Sequence, residues 1–190
     1  MQYLKIITLI LVCARLMYWF VKERSANKAI PTALPTNLKS VLIISCTYAY
    51  WFLFCAQLLG LDIFKFSYMS IVPIIGFAIY ITGELISILG RVDLGTNWSH
   101  GAEYQVKPNQ SLVTKGTYRY SRHPIYAGFF LVILGGQLLV ESYLVIPFTL
   151  LCYLVMHIQT LKEERILTAH YGKQYIEYMK HTPRIFPRIF

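Results

Sequence analysis

The chain has 190 residues, of which 56% are hydrophobic and 14% charged. Soluble domains carry about 25% charged residues, so this composition, with a mean hydropathy of +0.48, excludes an ordinary soluble globule and points to a membrane protein. The net charge of +9 is read as membrane topology and attraction to anionic headgroups, not as nucleic-acid binding.

A bilayer-spanning helix needs about 20 mostly apolar residues. The first such run is residues 3–21. It lacks a small-residue cleavage site and Arg15 interrupts its core, so it is expected to be a retained helix and not a signal peptide. Residues 22–39, with Pro31 and Pro35, form an interfacial connector. The second run is residues 40–60, followed by a short outer loop at 61–67. The third is residues 68–89 and holds Glu84 between Gly83 and Leu85. An ionisable group inside a span is costly and marks either function or a structural ion pair. Arg15 is the expected partner.

The connector over residues 91–123 is long for a loop between helices, and loops of that length tend to be functional. Its Trp98, Tyr104, Tyr118 and Tyr120 suit a membrane interface and would equally suit a pocket for an adenine ring. The apolar region at 124–158 is too long for one span and is broken at Glu141-Ser142. It reads as a hairpin of two short helices, with Gly135-Gly136 allowing close helix contact. The last helix is expected to run on into the cytosol and stop at Tyr171-Gly172, where Gly fits the cap. A short amphipathic helix over residues 175–179 follows, ended by Pro183 and Pro187.

The fold class is therefore an all-α integral membrane protein with about five transmembrane helices, a hairpin of spans 4 and 5, and a cytosolic C-terminal helical segment. With no GxGxxG after a strand and no P-loop, a Rossmann fold is not expected. Residues 1–90 form three N-terminal spans and residues 91–190 the catalytic region of one integrated membrane domain. All of the 18 Lys and Arg except Lys5, Lys65 and Arg15 fall after spans 1, 3 and 5. Basic loops stay cytoplasmic, so the N-terminus is expected outside and the C-terminus in the cytosol, in a plasma membrane or endoplasmic reticulum. Cys13, Cys46, Cys55 and Cys152 fall in the spans without a CxxC and read as small buried hydrophobes. The five histidines are scattered without metal-ligand spacing.

Hairpin geometry brings the start of span 4 beside the end of span 5, so Arg122 and His123 are expected to meet Glu163 and Glu164. Each piece has a structural alternative. Arg122-His123-Pro124 also reads as a helix entry, with Pro at the first helical position. Glu163-Glu164, flanked by Lys162 and Arg165, also reads as a solvated helix face. His157 and Gln159 are expected to line the same cavity.

The run Arg122-His123-Pro124-Ile125-Tyr126-Ala127-Gly128, then Glu163-Glu164, then Tyr171-Gly172-Lys173-Gln174-Tyr175 and Pro183-Arg184-Ile185-Phe186-Pro187, resembles the isoprenylcysteine carboxyl methyltransferase family of integral membrane enzymes. The resemblance covers residues 91–187. It implies S-adenosylmethionine as cofactor, held by Gln110, Ser111, Leu112, Val113, Tyr118, His123, Pro124, Ile125, Tyr126 and Glu163, with Glu103 carried over from a looser upstream match. It implies catalytic roles for His123 and Glu163, and substrate contacts from Gln159 and Glu164. Gln159 stands where eukaryotic members carry an Arg that helps bind the prenylcysteine, which bears on the identity of the acceptor. The implied reaction is methylation of the C-terminal carboxylate of a prenylated cysteine in the bilayer, with no metal and no nucleic acid involved. Phospholipid N-methyltransferases share the motif. Membrane NADPH reductases resemble it too, but with Asn at the position of Ile125 and an acid at that of Phe129. A non-enzymatic scaffold would bind no cofactor.

Overall fold

The computed structural model describes residues 2–27, 38–62, 64–66, 71–98 and 110–186. Among the described residues six α-helices follow one another: α1 (Gln2–Asn27), α2 (Leu38–Leu58), α3 (Val72–Leu94), α4 (Pro124–Leu139), α5 (Val145–Tyr171) and α6 (Lys173–His181). Short 3-10 turns occupy Gly95–Asn97 and Gly116–Arg119. Among the described residues there is one isolated β-bridge, Lys65 with Ser142, and no strand. Residues 28–37 with Pro31 and Pro35, residues 99–109 with Glu103, and Pro187 lie outside the described residues; the first part of the expected connector is helical, since α1 runs on to Asn27.

Local chemistry sets the helix ends. Pro124 stands at the start of α4, where a missing N–H costs nothing. α5 stops at Gly172, whose φ of +55° a residue with a Cβ rarely adopts. The sequence reading made both spans of the hairpin short and ran the second on into the cytosol as far as Tyr171-Gly172, which is where α5 ends. α5 has 27 residues, because no Gly or Pro interrupts it after its first turn and the polar residues from Lys162 onward continue the same helix. α4, with 16 residues, is short as expected. α3 extends past the expected end at residue 89 to Leu94.

α3 and α4 pack antiparallel at backbone distance. A Cβ added to Gly76 would lie 2.4 Å from the Leu139 nitrogen, one on Gly83 2.6 Å from the Gly128 carbonyl oxygen, and one on Gly135 2.4 Å from the Tyr80 nitrogen. Gly76, Gly83 and Gly90 recur every seven residues along α3, and Gly128 and Gly135 do so along α4. A seven-residue step is nearly two helical turns, so the glycines line up along one seam of each helix. Close approach multiplies dispersion contacts between the backbones.

α1 and α2 close the bundle around this pair. Arg15 of α1 bonds Glu84 of α3 at 2.5 Å, and both side chains are more than nine-tenths buried. The guanidinium carbon lies 5.6 Å from the Trp51 ring centre on α2 and 5.3 Å from that of Phe129 on α4. The core joins Val12, Trp51, Phe54, Tyr80, Val132, Cys152 and Met156. Of the four cysteines, only Cys152 is buried as expected. Cys55 is half-buried and Cys13 and Cys46 are exposed, because they fall on the outward faces of α1 and α2.

Those outward faces are apolar. Tyr3, Ile6, Ile10, Met17 and Phe20 on α1, and Ile146, Leu150, Leu151, Leu154 and Ile158 on α5, are all exposed. Such area would aggregate in water and is at rest in hydrocarbon. The stretches Gln2–Val21, Val72–Asn97 and Val145–Tyr171 are each long and apolar enough to cross a bilayer.

Two changes test this packing. Gly135→Val forces a side chain into the α3 backbone and is expected to lower stability by at least the 1–3 kcal/mol typical of overpacking, read as a drop in the melting temperature in detergent. Glu84→Ala strands a buried guanidinium and is expected to cost about 3–5 kcal/mol, whereas Arg15→Met with Glu84→Leu is expected to recover most of that loss.

Candidate functional site

Helix α4 begins one residue after His123, and α5 runs back antiparallel to end beside it. Glu163 and Glu164 therefore arrive at the level of Arg122 and His123, and all four side chains are more than nine-tenths buried. Arg122 donates from Nε and Nη2 to Glu164 Oε1 at 2.8 and 2.6 Å. Arg184 donates from Nε to Glu164 Oε2 at 2.9 Å, with Nη2 at 2.8 Å from the same oxygen. Glu164 is thus clamped between two guanidinium groups, one on each oxygen, a geometry that suits Arg.

Glu163 has a different setting. Its Oε1 accepts from the Tyr126 hydroxyl, and its Oε2 lies 3.5 Å from His123 Nδ1. A carboxylate has room for about four hydrogen bonds, so Glu163 keeps acceptor capacity. His123 Nε2 is buried, 3.4 Å from Glu164 Oε1, and makes no hydrogen bond of good geometry. Burial disfavours the charged imidazolium, but the two carboxylates beside the ring, Glu163 and Glu164, outweigh it, and the His123 pKa is raised above its ordinary value.

The chain end completes the site. The Arg122 and His123 amides donate to the Pro183 and Arg184 carbonyls at 2.9 and 3.0 Å. Arg122 Nη1 also donates to the Thr182 and Met179 carbonyls. Ser121 Oγ donates to the Ile185 carbonyl at 2.6 Å, which occupies the hydroxyl that would otherwise look like a nucleophile. Ile185 is buried in the core and the Phe186 ring sits 5.2 Å from Phe130. Residues 182–186 form a strap across the entrance to α4.

The remaining expected site residues fall into two groups. Tyr126, Pro124 and Ile125 lie on the first turn of α4, and Gln159 is half-buried one turn before Glu163 on α5. The segment at 110–113 comes to the far end of α5, where the Gln110 carbonyl accepts from the Tyr171 hydroxyl at 3.1 Å. Ser111 faces Asn97 at 3.4 Å, and Leu112 and Val113 are half-buried. Tyr118 is buried, and its carbonyl accepts from Tyr178 at 2.5 Å. The sequence reading missed Arg184, Tyr178 and Asp93 as organising residues. Arg184 carried a weak signal, being a cation beside a proline in a chain that brings two acids to the membrane surface.

Fold and site together define a class: a helical membrane protein with a buried acid–imidazole–guanidinium cluster at the open end of a helical hairpin. The model of the phospholipid methyltransferase family matches residues 71–174, and the chain belongs to that family. A protein-S-isoprenylcysteine O-methyltransferase of Tribolium castaneum is 30% identical over 116 residues, which are 60% of this chain and 41% of that one. A protein of the same name from Schizosaccharomyces pombe is 32% identical over 108 residues, 56% of this chain and 46% of its own. The chain spans about half the length of the curated relatives it matches. A solved eukaryotic intramembrane Ras methyltransferase, an isoprenylcysteine carboxyl methyltransferase, has a similar fold, with a TM-score of 0.59 and 23% identity over 86% of this chain and 56% of that chain.

The raised pKa gives a signed pH dependence. Protonated His123 stabilises the folded protein fully below its unfolded pKa of about 6.5, and that contribution fades as pH rises through the raised folded value. The melting temperature in detergent should therefore fall across that interval. In His123→Gln it should be lower at acid pH and lack this component of the slope.

Proposed function

We propose that this protein transfers a methyl group from S-adenosylmethionine to the C-terminal carboxylate of a lipid-modified cysteine at the membrane surface. The reading rests on the family, on the relatives' names, and above all on Glu163. It is a buried carboxylate held by Tyr126 that retains acceptor capacity beside a His123 nitrogen with no hydrogen bond of good geometry. Buried polar atoms left in this state call for a polar ligand, and a cofactor bearing amino, hydroxyl and sulfonium groups fits them.

Bound S-adenosylmethionine supplies an electrophilic methyl on a sulfonium, which an ionised carboxylate of pKa about 3.5 accepts without a general base. The protein's part is binding, alignment and exclusion of water. Glu163 accepts hydrogen bonds from the cofactor and places negative charge in the site. Tyr126 fixes the carboxylate's rotamer. His123 donates from the ring, and Tyr118 with residues 110–113 covers the nucleoside end. Glu164, spent on Arg122 and Arg184, holds the start of α4, the end of α5 and the strap together, and its substrate contact would be made through that frame. Gln159, one turn deeper, faces the acceptor's side of the site. Glu103 belongs to the same proposed cofactor set.

Residues 1–90 act as the membrane scaffold and residues 91–190 carry the site, in a topology of five crossings with the C-terminus in the cytosol of a plasma membrane or endoplasmic reticulum. The description of the family favours one other acceptor, an amine-bearing phospholipid. A primary amine has to lose a proton before it attacks, so that reaction would accelerate as pH rises.

The test is transfer of labelled methyl to a farnesylated cysteine analogue by purified protein in detergent. Base-labile label on the analogue is expected, and Glu163→Gln should weaken cofactor binding about tenfold or more, the loss of one charge-assisted hydrogen bond. Base-stable label on an amine lipid would move the acceptor to the second class, and absence of cofactor binding would refute the methyltransferase reading.

A further inference from the structure

Asp93, at the last turn of α3, lies outside the cluster just described and takes no part in it directly. Its Oδ2 accepts two hydrogen bonds from Thr117, from the backbone N–H at 2.7 Å and from the hydroxyl at 2.7 Å. Thr117 is the second residue of the 3-10 turn Gly116–Arg119, whose preceding residue, Lys115, supplies no side-chain cap. The first N–H groups of a helical turn have no internal partner, and here a carboxylate from another helix takes that role, 24 residues away in sequence.

Gly116 is matched to this arrangement. Its φ is +63°, and a Cβ on it would lie 2.4–2.6 Å from all three carboxylate atoms of Asp93. The carboxylate therefore lies flat on the turn at a place where no side chain fits. The turn leads in both directions to residues assigned to the site. Tyr118 follows at once and is buried. The Thr117 carbonyl accepts from the Tyr120 and Ser121 amides at 3.1 and 3.2 Å, and the next two residues are Arg122 and His123.

A further tie to this segment, from Asn97 in the 3-10 turn after α3 to Ser111, is long at 3.4 Å. The bonds from Tyr171 and Tyr178 come from α5 and α6. Asp93 is thus a strong attachment on the α3 side, with two hydrogen bonds at 2.7 Å. Because α3 cannot slide against α4, it refers the whole segment to the same frame that carries His123.

We propose that Asp93 is a positioning residue, a latch that holds the segment of residues 110–121 in register with the start of α4 and thereby sets its affinity for the cofactor. The affinity consequence rests on the methyltransferase reading above, whereas the latch itself does not.

The experiment uses the full chain purified in detergent, as wild type, Asp93→Ala, Asp93→Asn and Gly116→Ala. Amide hydrogen exchange is followed over residues 110–121 and over α4, and S-adenosylmethionine binding and methyl transfer are measured alongside. Asp93→Ala is expected to speed exchange in 110–121 about tenfold, which corresponds to about 1.4 kcal/mol, while α4 exchanges as in wild type. Asp93→Asn keeps an acceptor oxygen and should restore most of the protection. Gly116→Ala should expose the same segment from the other side. In Asp93→Ala the KM for S-adenosylmethionine should rise about tenfold with kcat changed by less than about threefold.

Unchanged exchange in 110–121, or a uniform rise that includes α4, overturns the latch, the latter because it would make Asp93 a support of the whole fold. Faster exchange with unchanged KM overturns the positioning role. If wild type binds no S-adenosylmethionine, the proposed function fails, and the exchange measurements alone decide for or against the latch.

Discussion

Everything at the open end of the hairpin depends on two backbones touching. α3 and α4 meet along a seam of glycines whose Cβ positions are taken by the opposite helix's own nitrogen and carbonyl atoms. In hydrocarbon there is no hydrophobic force to press helices together, so association falls to dispersion and polar contacts at short range. A seam this close is strong for that reason and also intolerant, since no side chain can be added without moving a helix. It fixes the height of His123, at the start of α4, against Asp93, at the end of α3. The cluster of Arg122, His123, Glu163 and Glu164 and the segment before it are therefore set by one surface deep in the bundle.

Around that frame the protein concentrates charge where charge is expensive. Glu84 with Arg15 lies between the helices, and Glu164 with Arg122 and Arg184 lies at the hairpin mouth. The two clusters do different work. The first joins α1 to α3 inside an aromatic cage. The second consumes both oxygens of one acid so that its neighbour in sequence, Glu163, stays available. Two adjacent glutamates thus acquire separate roles from their partners alone: Glu164 faces cations on both sides, and Glu163 faces a phenol and an imidazole.

Much of this was legible before any coordinates. Apolar runs gave the helices, Pro124 and Gly172 their ends, and the hairpin argument brought Arg122 and His123 to Glu163 and Glu164. The pairing of Arg15 with Glu84 followed from cost: two ionisable groups in apolar runs have few other partners. Other features left weaker traces. Gly76, Gly83 and Gly90 repeat at seven residues, but each sits among ordinary apolar neighbours and only the matching step at Gly128 and Gly135 reveals a seam. The end of α3 was set too early, at residue 89, because hydrophobicity stops there, whereas the helix runs on to Leu94 until Gly95 intervenes. Asp93 looked like one more polar residue at a helix end, because its partner Thr117 is distant in sequence and chosen by tertiary geometry.

The unequal arms of the hairpin have a mechanical consequence for the surrounding lipid. At 1.5 Å per residue, the 16 residues of α4 reach only about 24 Å, against about 30 Å of hydrocarbon in a typical bilayer. α5, with 27 residues, is amply long. Where both arms cross the bilayer, one relief of such a mismatch is thinning of the leaflet beside the short arm. His123 would then sit at the floor of a dimple in the membrane, below the plane of the surrounding headgroups. A polar group tethered to a lipid chain would reach that floor with its anchor still immersed, so bilayer thickness becomes a variable that governs access to the site.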